Sequence, residues 1–380
     1  MRPTRFFDGR ESFAAQWNDI ARQVNRVFDH GTFSQGTLTA ELEEAIKKYT
    51  GACFTIGVNS GTDALTLMLR AIGAGPGDEV VVPALACASS ASAVCDVGAT
   101  PVFADVAPGS YAIAPDAVRS RLTGRTRVIM PVHPFGRMAD MATLRTIARD
   151  AGAVLVEDSR QAIGLRYAYT HAGLFGTAGA LSFAPDKPLG ALGDAAMVIT
   201  GDETVADRCA VLRHHGRTGG EPGVSSPAVI IGINSKMDEL QAAVLLARLP
   251  WLGGAIARRA ELAARYTSLL AEITHVITPA AGAREDPADR VWHAYVIEAE
   301  RRDALADRLS RSGIETRVPY PVPLHLQPAF RHLDGRSGDH PVAEATAGRM
   351  LALPLHSDLS LSDIERTCRA IRHFYRRNPA

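Results

Sequence analysis

One lysine in the middle of the chain has the sequence environment of a reactive amine. The chain contains 41 lysines and arginines, and only four of these are lysines. Lys187 lies between two apolar runs, in the stretch A-L-S-F-A-P-D-K-P-L-G-A-L-G-D-A-A-M-V-I-T. A buried amine can lose its proton and attack a carbonyl group, whereas a guanidinium keeps its charge. Lys187 is therefore a candidate nucleophile.

A carboxylate stands in a comparable position earlier in the chain. Asp158 follows the apolar run at residues 154–156, as Lys187 follows the run at 180–183. Ligands bind at the carboxyl ends of the strands in an open parallel sheet, so we expect both side chains to reach one crevice. A structural ion pair is the alternative. In the functional interpretation, Asp158 keeps the ring nitrogen of pyridoxal phosphate (PLP) protonated while Lys187 carries this cofactor as a Schiff base.

The turn N-S-G-T-D at residues 59–63 offers donors for a phosphate group. It follows an apolar run and opens a helix with an apolar face. Backbone N–H groups at a helix N-terminus bind anions, and a glycine there permits close approach. Taken alone, the turn is also an ordinary capped helix start. In combination with Asp158 and Lys187, it favours a phosphate site.

Seven short apolar runs must position these residues. Continuous apolar runs are typical of strands buried on both faces, and their alternation with helical segments indicates a largely parallel sheet. The last two runs are joined through Lys187 without room for a crossover helix, which leaves one of them free to run antiparallel. The runs lie at residues 53–58, 79–82, 100–103, 127–132, 154–156, 180–183 and 196–200.

We predict an α/β fold with two domains. The large domain covers residues 1–250 and starts with helical segments interrupted by a polar loop at 29–37. We interpret this loop as a connector, and a loop that reaches over a site is the alternative. A smaller α+β domain covers residues 251–380. Its predicted helices lie at 255–270, 303–312 and 361–372, its strands at 275–278 and 292–298, and a stiff loop with four prolines at 319–330.

Composition excludes several classes of protein. Basic and acidic residues number 41 each, and no basic tract is present, so neither a nucleic acid nor a membrane surface is indicated as partner. The five cysteines lack C-x-x-C spacing, so we expect neither a metal site nor a disulfide framework. The N-terminus does not resemble a signal peptide, and no run reaches eighteen apolar residues. We therefore expect a cytoplasmic protein that acts on small molecules.

Eight stretches, in order, make the sequence resemble the PLP-dependent sugar aminotransferases of the DegT/StrS type over nearly the whole chain. The resemblance implies aminotransferase fold type I, with a mostly parallel seven-stranded sheet, PLP as cofactor and a homodimer with shared active sites. The stretches are N-S-G-T-D-A-L (59–65), G-D-E-V-V-V-P (77–83), G-A-T-P-V-F-A-D-V (98–106), P-V-H-P-F-G-R-M-A-D-M (131–141), V-E-D-S-R-Q-A-I-G (156–164), S-F-A-P-D-K-P-L-G-A-L-G-D (182–194), G-I-N-S-K-M-D-E-L-Q-A-A (232–243) and P-L-H-L-Q-P-A-F (323–330).

The resemblance implies a role for each site residue. Two of them would be catalytic, with Lys187 as the Schiff-base lysine and Asp158 as the partner of the ring nitrogen. The others would hold the cofactor or the substrate: Gly61, Thr62 and Ser182 at the phosphate, Gln161 near the hydroxyl face of the ring, Asn234 reaching the phosphate of the neighbouring subunit, and His325 at the substrate.

Three departures from the family pattern concern the pocket. Cys87 stands where the family usually places an aromatic residue over the cofactor ring, and a sulfur covers less of that ring. Asp186 and Pro188 flank the lysine where a small or hydroxylic residue and an asparagine are more common. The stretch G-D-A-A at 193–196 replaces the common G-D-G-G. These changes suggest a substrate pocket of unusual shape.

The implied reaction is a ping-pong transamination from glutamate or glutamine to a keto sugar, in particular a nucleotide-linked hexose. A keto-cyclitol (inosose) of an aminoglycoside pathway is an alternative acceptor. A dehydratase of the same family typically has histidine at the position of Lys187, which argues against that activity. A catalytically silent regulatory or scaffold protein that keeps the fold is a further alternative.

Overall fold

Three helices precede the sheet. The structure, a computed structural model, describes residues 3–218, 226–279 and 290–377. It begins with α1 (Arg10–Ala15), α2 (Trp17–His30) and α3 (Thr37–Thr50). The carboxylate of Glu239 accepts hydrogen bonds from the N–H groups of Gly36, Leu38 and Thr39. The end of the polar loop and the first turn of α3 are thus tied to the protein body.

All seven predicted strands are present in one sheet. The strand order is β1-β9-β8-β5-β4-β2-β3, and β9 runs antiparallel to both of its neighbours, as the short connection through Lys187 allowed. The elements are β1 (Phe54–Val58), α4 (Gly61–Ala71), β2 (Glu79–Pro83), α5 (Ala88–Asp96), β3 (Thr100–Ala104), α6 (Pro115–Arg121), β4 (Thr126–Ile129), α7 (Met141–Asp150), β5 (Val154–Asp158), the hairpin β6 (Arg166–Tyr167) and β7 (Thr170–His171), β8 (Ala178–Ser182), β9 (Ala196–Thr200) and α8 (Glu203–Arg213). The small hairpin was not predicted.

The C-terminal part contains a three-stranded antiparallel sheet, β10-β11-β12. The predicted helices and the irregular proline loop are present, but α12 and β12 were not predicted, because β12 follows its helix without a turn signal. The elements are α9 (Glu239–Arg248), a 3-10 turn at Leu249–Trp251, α10 (Leu252–Leu270), β10 (Val276–Ile277), β11 (Tyr295–Ala299), α11 (Arg302–Arg311), 3-10 turns at Leu324–Leu326 and Pro328–Leu333, α12 (Pro341–Arg349), β12 (Met350–Leu353) and α13 (Leu361–Arg377).

The C-terminal part has its own apolar core. Tyr266 and Tyr295 stack at its centre with ring centroids 4.9 Å apart. Leu324 and Met350 pack instead against the core of the large sheet, and Thr4 pairs with Ile314. The division into domains at residue 250 therefore stays a proposal, in which both chain ends contribute to the smaller unit.

One helical run, Glu239–Leu270, is long and apolar enough to span a membrane by length and composition alone. Core helices of soluble proteins pass the same test, so a single such run is weak evidence. Here the 3-10 turn at Leu249–Trp251 divides the run, α9 packs against α2 and α3, and α10 packs against α13.

Candidate active site

Asp158 and Lys187 lie on the wall of one cavity. Strands β5 and β8 are parallel neighbours, with Asp158 in register with Ala180, so residues that follow them meet at the same edge of the sheet. The cavity has a volume of about 120 Å³. It is lined by Cys87, Ser90, Val132, Asp158, Arg160, Gln161, Ser182, Ala184, Lys187 and Tyr320. The structure thus brings together most of the site residues expected from the sequence.

The amine of Lys187 is buried and has few partners. Its side chain is 12% exposed, and Nζ lies 3.7 Å from the carboxylate of Asp186 and 3.3 Å from Nε2 of His293. Burial lowers the pKa of Lys187, and the charge of Arg160 acts in the same direction, while Asp186 opposes both. A lowered pKa increases the fraction of unprotonated amine, which is the form that attacks a carbonyl.

His293 contacts the amine without adding a charge. Burial and the charge of Lys187 hold the pKa of His293 well below its ordinary value, so the imidazole is neutral. The neighbouring Val291 donates its N–H to the carbonyl of Gly136 at 2.8 Å. A Cβ on Gly136 would lie 1.6 Å from the oxygen of Val291, so this approach requires glycine. From the sequence we had assigned no role to His293.

Asp158 and its neighbour Glu157 point in opposite directions, as successive residues of a strand do. Glu157 accepts hydrogen bonds from the N–H groups of Gly173, Phe175 and Gly176 and from His133. Its carboxylate therefore fixes the loop before β8. Asp158 faces the cavity and forms part of its wall.

Arg160 forms a two-point ion pair with Asp158. Nε donates to Oδ1 at 2.8 Å and Nη2 donates to Oδ2 at 2.7 Å, while Ser90 donates to Oδ2 at 2.7 Å. Burial raises the pKa of Asp158, but the charge and hydrogen bonds of Arg160 and Ser90 outweigh it, so the pKa lies below its ordinary value. Arg160 was not assigned a role from the sequence, although a charged residue two positions after Asp158 was a visible signal.

The start of α4 has the helix-start geometry on which the predicted anion site depends. Ser60 caps the helix by accepting the N–H of Asp63 at 3.2 Å. Gly61 and Thr62 form the first turn, whose N–H groups are free of helical partners by position. A Cβ on Gly61 would lie 2.8 Å from Cδ of Arg160 and 3.3 Å from Cβ of Ser182. The helix start is thus next to Ser182, which lines the cavity.

Gln161 and Cys87 also line the cavity. The side-chain oxygen of Gln161 accepts the N–H of Phe135 at 2.7 Å, and its amide nitrogen donates to the hydroxyl of Tyr320 at 3.3 Å. Tyr320 stacks on Phe135 with centroids 5.5 Å apart. Tyr320 is buried and lines the cavity, and it was assigned no role from the sequence. It provides the cavity with an aromatic side chain, which Cys87 does not provide.

Four expected residues do not line the cavity of their own chain: Gly61 and Thr62 lie at the start of α4, and Asn234 and His325 lie elsewhere. Asn234 is exposed and accepts a hydrogen bond from the amine of Lys236. His325 is buried and pairs through Nε2 with Glu344 at 3.1 Å. A substrate contact by His325 would require this pair to open, so that role stays a prediction which the geometry does not support.

Lys187 also borders a wider space, which we call the outer cleft. It is bounded by the N-terminal segment around α1, by α10 and by residues 356–358, and it includes Pro188, Arg248 and Arg259. Burial lowers the pKa of both arginines to about 10. Lys187 thus lines both the inner cavity and the outer cleft. Within the described ranges, no group of three histidine, cysteine or acidic side chains is placed to hold a metal ion.

The residues present fit PLP. The unpaired face of the Lys187 amine suits its aldehyde, the start of α4 with Ser182 suits its phosphate, and Asp158 suits its ring nitrogen, although Arg160 already occupies that carboxylate. A mostly parallel seven-stranded sheet with these residues at its edge defines a PLP-dependent aminotransferase of fold type I.

Comparison with known proteins gives the family. The chain belongs to the DegT/DnrJ/EryC1/StrS aminotransferase family, whose model matches residues 15–372. This family is PLP-dependent, and solved structures of related chains include forms with PLP and with its amine form, PMP.

Several similar proteins span the same length. The chain is 39% identical to a pleiotropic regulatory protein of Geobacillus stearothermophilus, over 94% of this chain and 95% of the relative. It is 37% identical to dTDP-3-amino-3,4,6-trideoxy-alpha-D-glucose transaminase of Streptomyces venezuelae, over 98% and 96%. The crystal structure of DesV from S. venezuelae superposes with a TM-score of 0.92 at 37% identity, over 98% of this chain and 99% of DesV.

Proposed function

We propose that this aminotransferase moves an amino group from glutamate or glutamine to a keto sugar, specifically a nucleotide-linked hexose. The observation that carries the proposal is the buried amine of Lys187 in one cavity with Asp158, next to the anion site at the start of α4. Relatives named for dTDP-linked and UDP-linked sugars, at 37% and 36% identity, support the class of acceptor.

The residues divide the chemistry between them. PLP, when bound, supplies an electrophilic carbon and a ring that accepts electrons. Nζ of Lys187 would hold the aldehyde end of the cofactor and, when released, would move the proton at Cα of the donor; burial lowers the pKa of Lys187, which favours the unprotonated amine. Gly61, Thr62 and Ser182 would bind the phosphate oxygens. Asp158 is the carboxylate that the ring nitrogen would approach, and it is bound by Arg160 in this structure, while Gln161 holds Tyr320 in the cavity wall.

Substrates reach the amine through the outer cleft. Lys187 and Pro188 form the part of its wall that separates it from the inner cavity. Arg259 donates to the carbonyls of His293 and Leu355, which fixes the floor of the cleft beside the amine. The cleft is therefore rigid at the point where a donor or acceptor would meet Lys187.

We propose a homodimer with two shared sites. Three consecutive large apolar residues, Val229, Ile230 and Ile231, are 61%, 41% and 84% exposed, and such a patch is typical of an interface. Asn234 lies three residues after Ile231 and is also exposed. Its position supports the assignment of Asn234, with Lys236 beside it, to the cofactor phosphate of the neighbouring subunit.

The proposal places the enzyme in the cytoplasm, without a nucleic acid or membrane partner. A formal net charge of zero and the lack of a basic tract in the sequence support this view.

A direct assay separates the candidate functions. The purified protein is incubated with PLP, 15N-labelled glutamate or glutamine, and one acceptor at a time: a dTDP- or UDP-linked keto hexose, a keto sugar phosphate, or an inosose. Mass spectrometry then detects the 15N-amine. We expect product with the nucleotide-linked sugars, and no product or lysine-bound cofactor spectrum with Lys187→Arg.

Each of the other outcomes would favour one of the alternative functions. Product from the inosose alone would replace the sugar acceptor with a cyclitol. A protein that shows no spectral change with PLP and no product would be the silent regulatory homologue, in line with the name of the Geobacillus relative.

A further inference from the structure

Asp158 has no free acceptor position. A carboxylate offers about four lone-pair directions. Oδ1 accepts Nε of Arg160 at 2.8 Å and the backbone N–H of Arg160 at 3.3 Å. Oδ2 accepts Nη2 of Arg160 at 2.7 Å and the hydroxyl of Ser90 at 2.7 Å. A protonated ring nitrogen could bind Asp158 only after one of these donors had left.

The guanidinium of Arg160 is itself held on several sides. Nη1 donates to Ser89 at 2.7 Å, and Nη2 donates to Ser90 at 2.9 Å as well as to Asp158. The side chain is 13% exposed, and its Cδ packs against Gly61 at the start of α4. A buried ion pair with satisfied hydrogen bonds is costly to open, because each charge would be left without a partner.

The pair also cancels the negative charge that a pyridinium requires. A nearby carboxylate favours the protonated form of a nitrogen base, whereas a guanidinium disfavours it. Asp158 and Arg160 together contribute no net charge at this end of the cavity.

We propose that Arg160 withholds the Asp158 carboxylate from the ring nitrogen of PLP, so that this nitrogen is not held protonated. The inference rests on the cofactor site of the proposed function. Arg160 is then a positioning residue that weakens the ring as an electron acceptor. Movement of the proton at Cα of the donor consequently depends more on Lys187 than on the ring.

The test measures the protonation state of the ring nitrogen directly. Wild-type protein is loaded with PLP that carries 15N in the ring, and the nitrogen resonance is compared with those of protonated and unprotonated pyridine standards. Arg160→Met keeps the length of the side chain and removes its charge. Ser89→Ala is the matched control, because it removes a partner of Arg160 that does not touch Asp158.

We expect the resonance at the unprotonated position in wild type and Ser89→Ala, and an upfield shift to the protonated position in Arg160→Met. A protonated nitrogen in wild type would overturn the proposal, and this spectrum decides by itself if the variant does not fold. If wild type takes up no PLP, the cofactor site and the proposed function fail, even when Arg160→Met binds it.

Discussion

Replacing Glu157 by glutamine should destabilise the protein strongly while leaving the cavity residues in place. The carboxylate of Glu157 is fully buried and accepts four hydrogen bonds. Oε1 accepts the N–H groups of Phe175 and Gly176 at 2.6 and 2.8 Å. Oε2 accepts the N–H of Gly173 at 2.7 Å and contacts Nε2 of His133 at 2.8 Å.

The size of the effect follows from the donors that would lose an acceptor. Nδ1 of His133 accepts the N–H of Ala139 at 3.2 Å, so Nε2 carries the proton and donates to Glu157. A glutamine has one oxygen, so its NH₂ group would face two donors in either orientation. Each buried donor left unpaired costs about 1–3 kcal/mol, so we expect two of them in Glu157→Gln to lower the free energy of unfolding by about 2–6 kcal/mol.

Urea denaturation followed by circular dichroism measures this loss. Glu203→Gln is the matched control, because this exposed glutamate in the first turn of α8 should change stability by less than about 0.5 kcal/mol. A loss below about 1 kcal/mol for Glu157→Gln would refute the reasoning, since it would show that the four contacts carry little net energy.

Three further predictions concern other parts of the chain. Burial lowers the pKa of His171 to about 4. The free energy of unfolding should therefore fall by up to about 3 kcal/mol as the pH drops from about 6.5 to 4, because the unfolded chain binds this proton first. Urea denaturation midpoints of His171→Asn, measured over the same pH range, should lack this decrease. Asp158→Asn leaves Arg160 buried without a carboxylate and should cost about 3–5 kcal/mol, visible as a lower melting temperature of the cofactor-free protein. Mixing Lys187→Arg with Asn234→Ala subunits should restore up to about a quarter of wild-type turnover if sites are shared, and nothing beyond the separate activities if they are not.

Local pattern was sufficient to predict the sheet and the two principal residues of the site. Strands buried on both faces must be apolar along their whole length, and this requirement is visible in stretches such as E-V-V-V-P and A-M-V-I-T. Parallel strands end at one edge, so Asp158 and Lys187 could be placed together without knowing the strand order. The boundaries were less predictable: β4 ends at Ile129, three residues before its apolar run does.

Contacts between distant segments decided what surrounds those residues. Ser90 reaches Asp158 across 68 positions, and His293 reaches Lys187 across 106. No local period encodes such pairs, because they depend on how the sheet, α5 and the loop before β11 pack together. Tyr320 enters the cavity for the same reason, through Gln161 and Phe135.

The sequence by itself determined the fold class and the family, and it placed a lysine and a carboxylate in one cavity. Only the tertiary structure showed that the carboxylate is already bound by Arg160, two residues further along the chain. The physical reason is that hydrogen-bond saturation is a property of three-dimensional packing. Residue types show which groups can donate and accept, whereas distances decide which of them are still free.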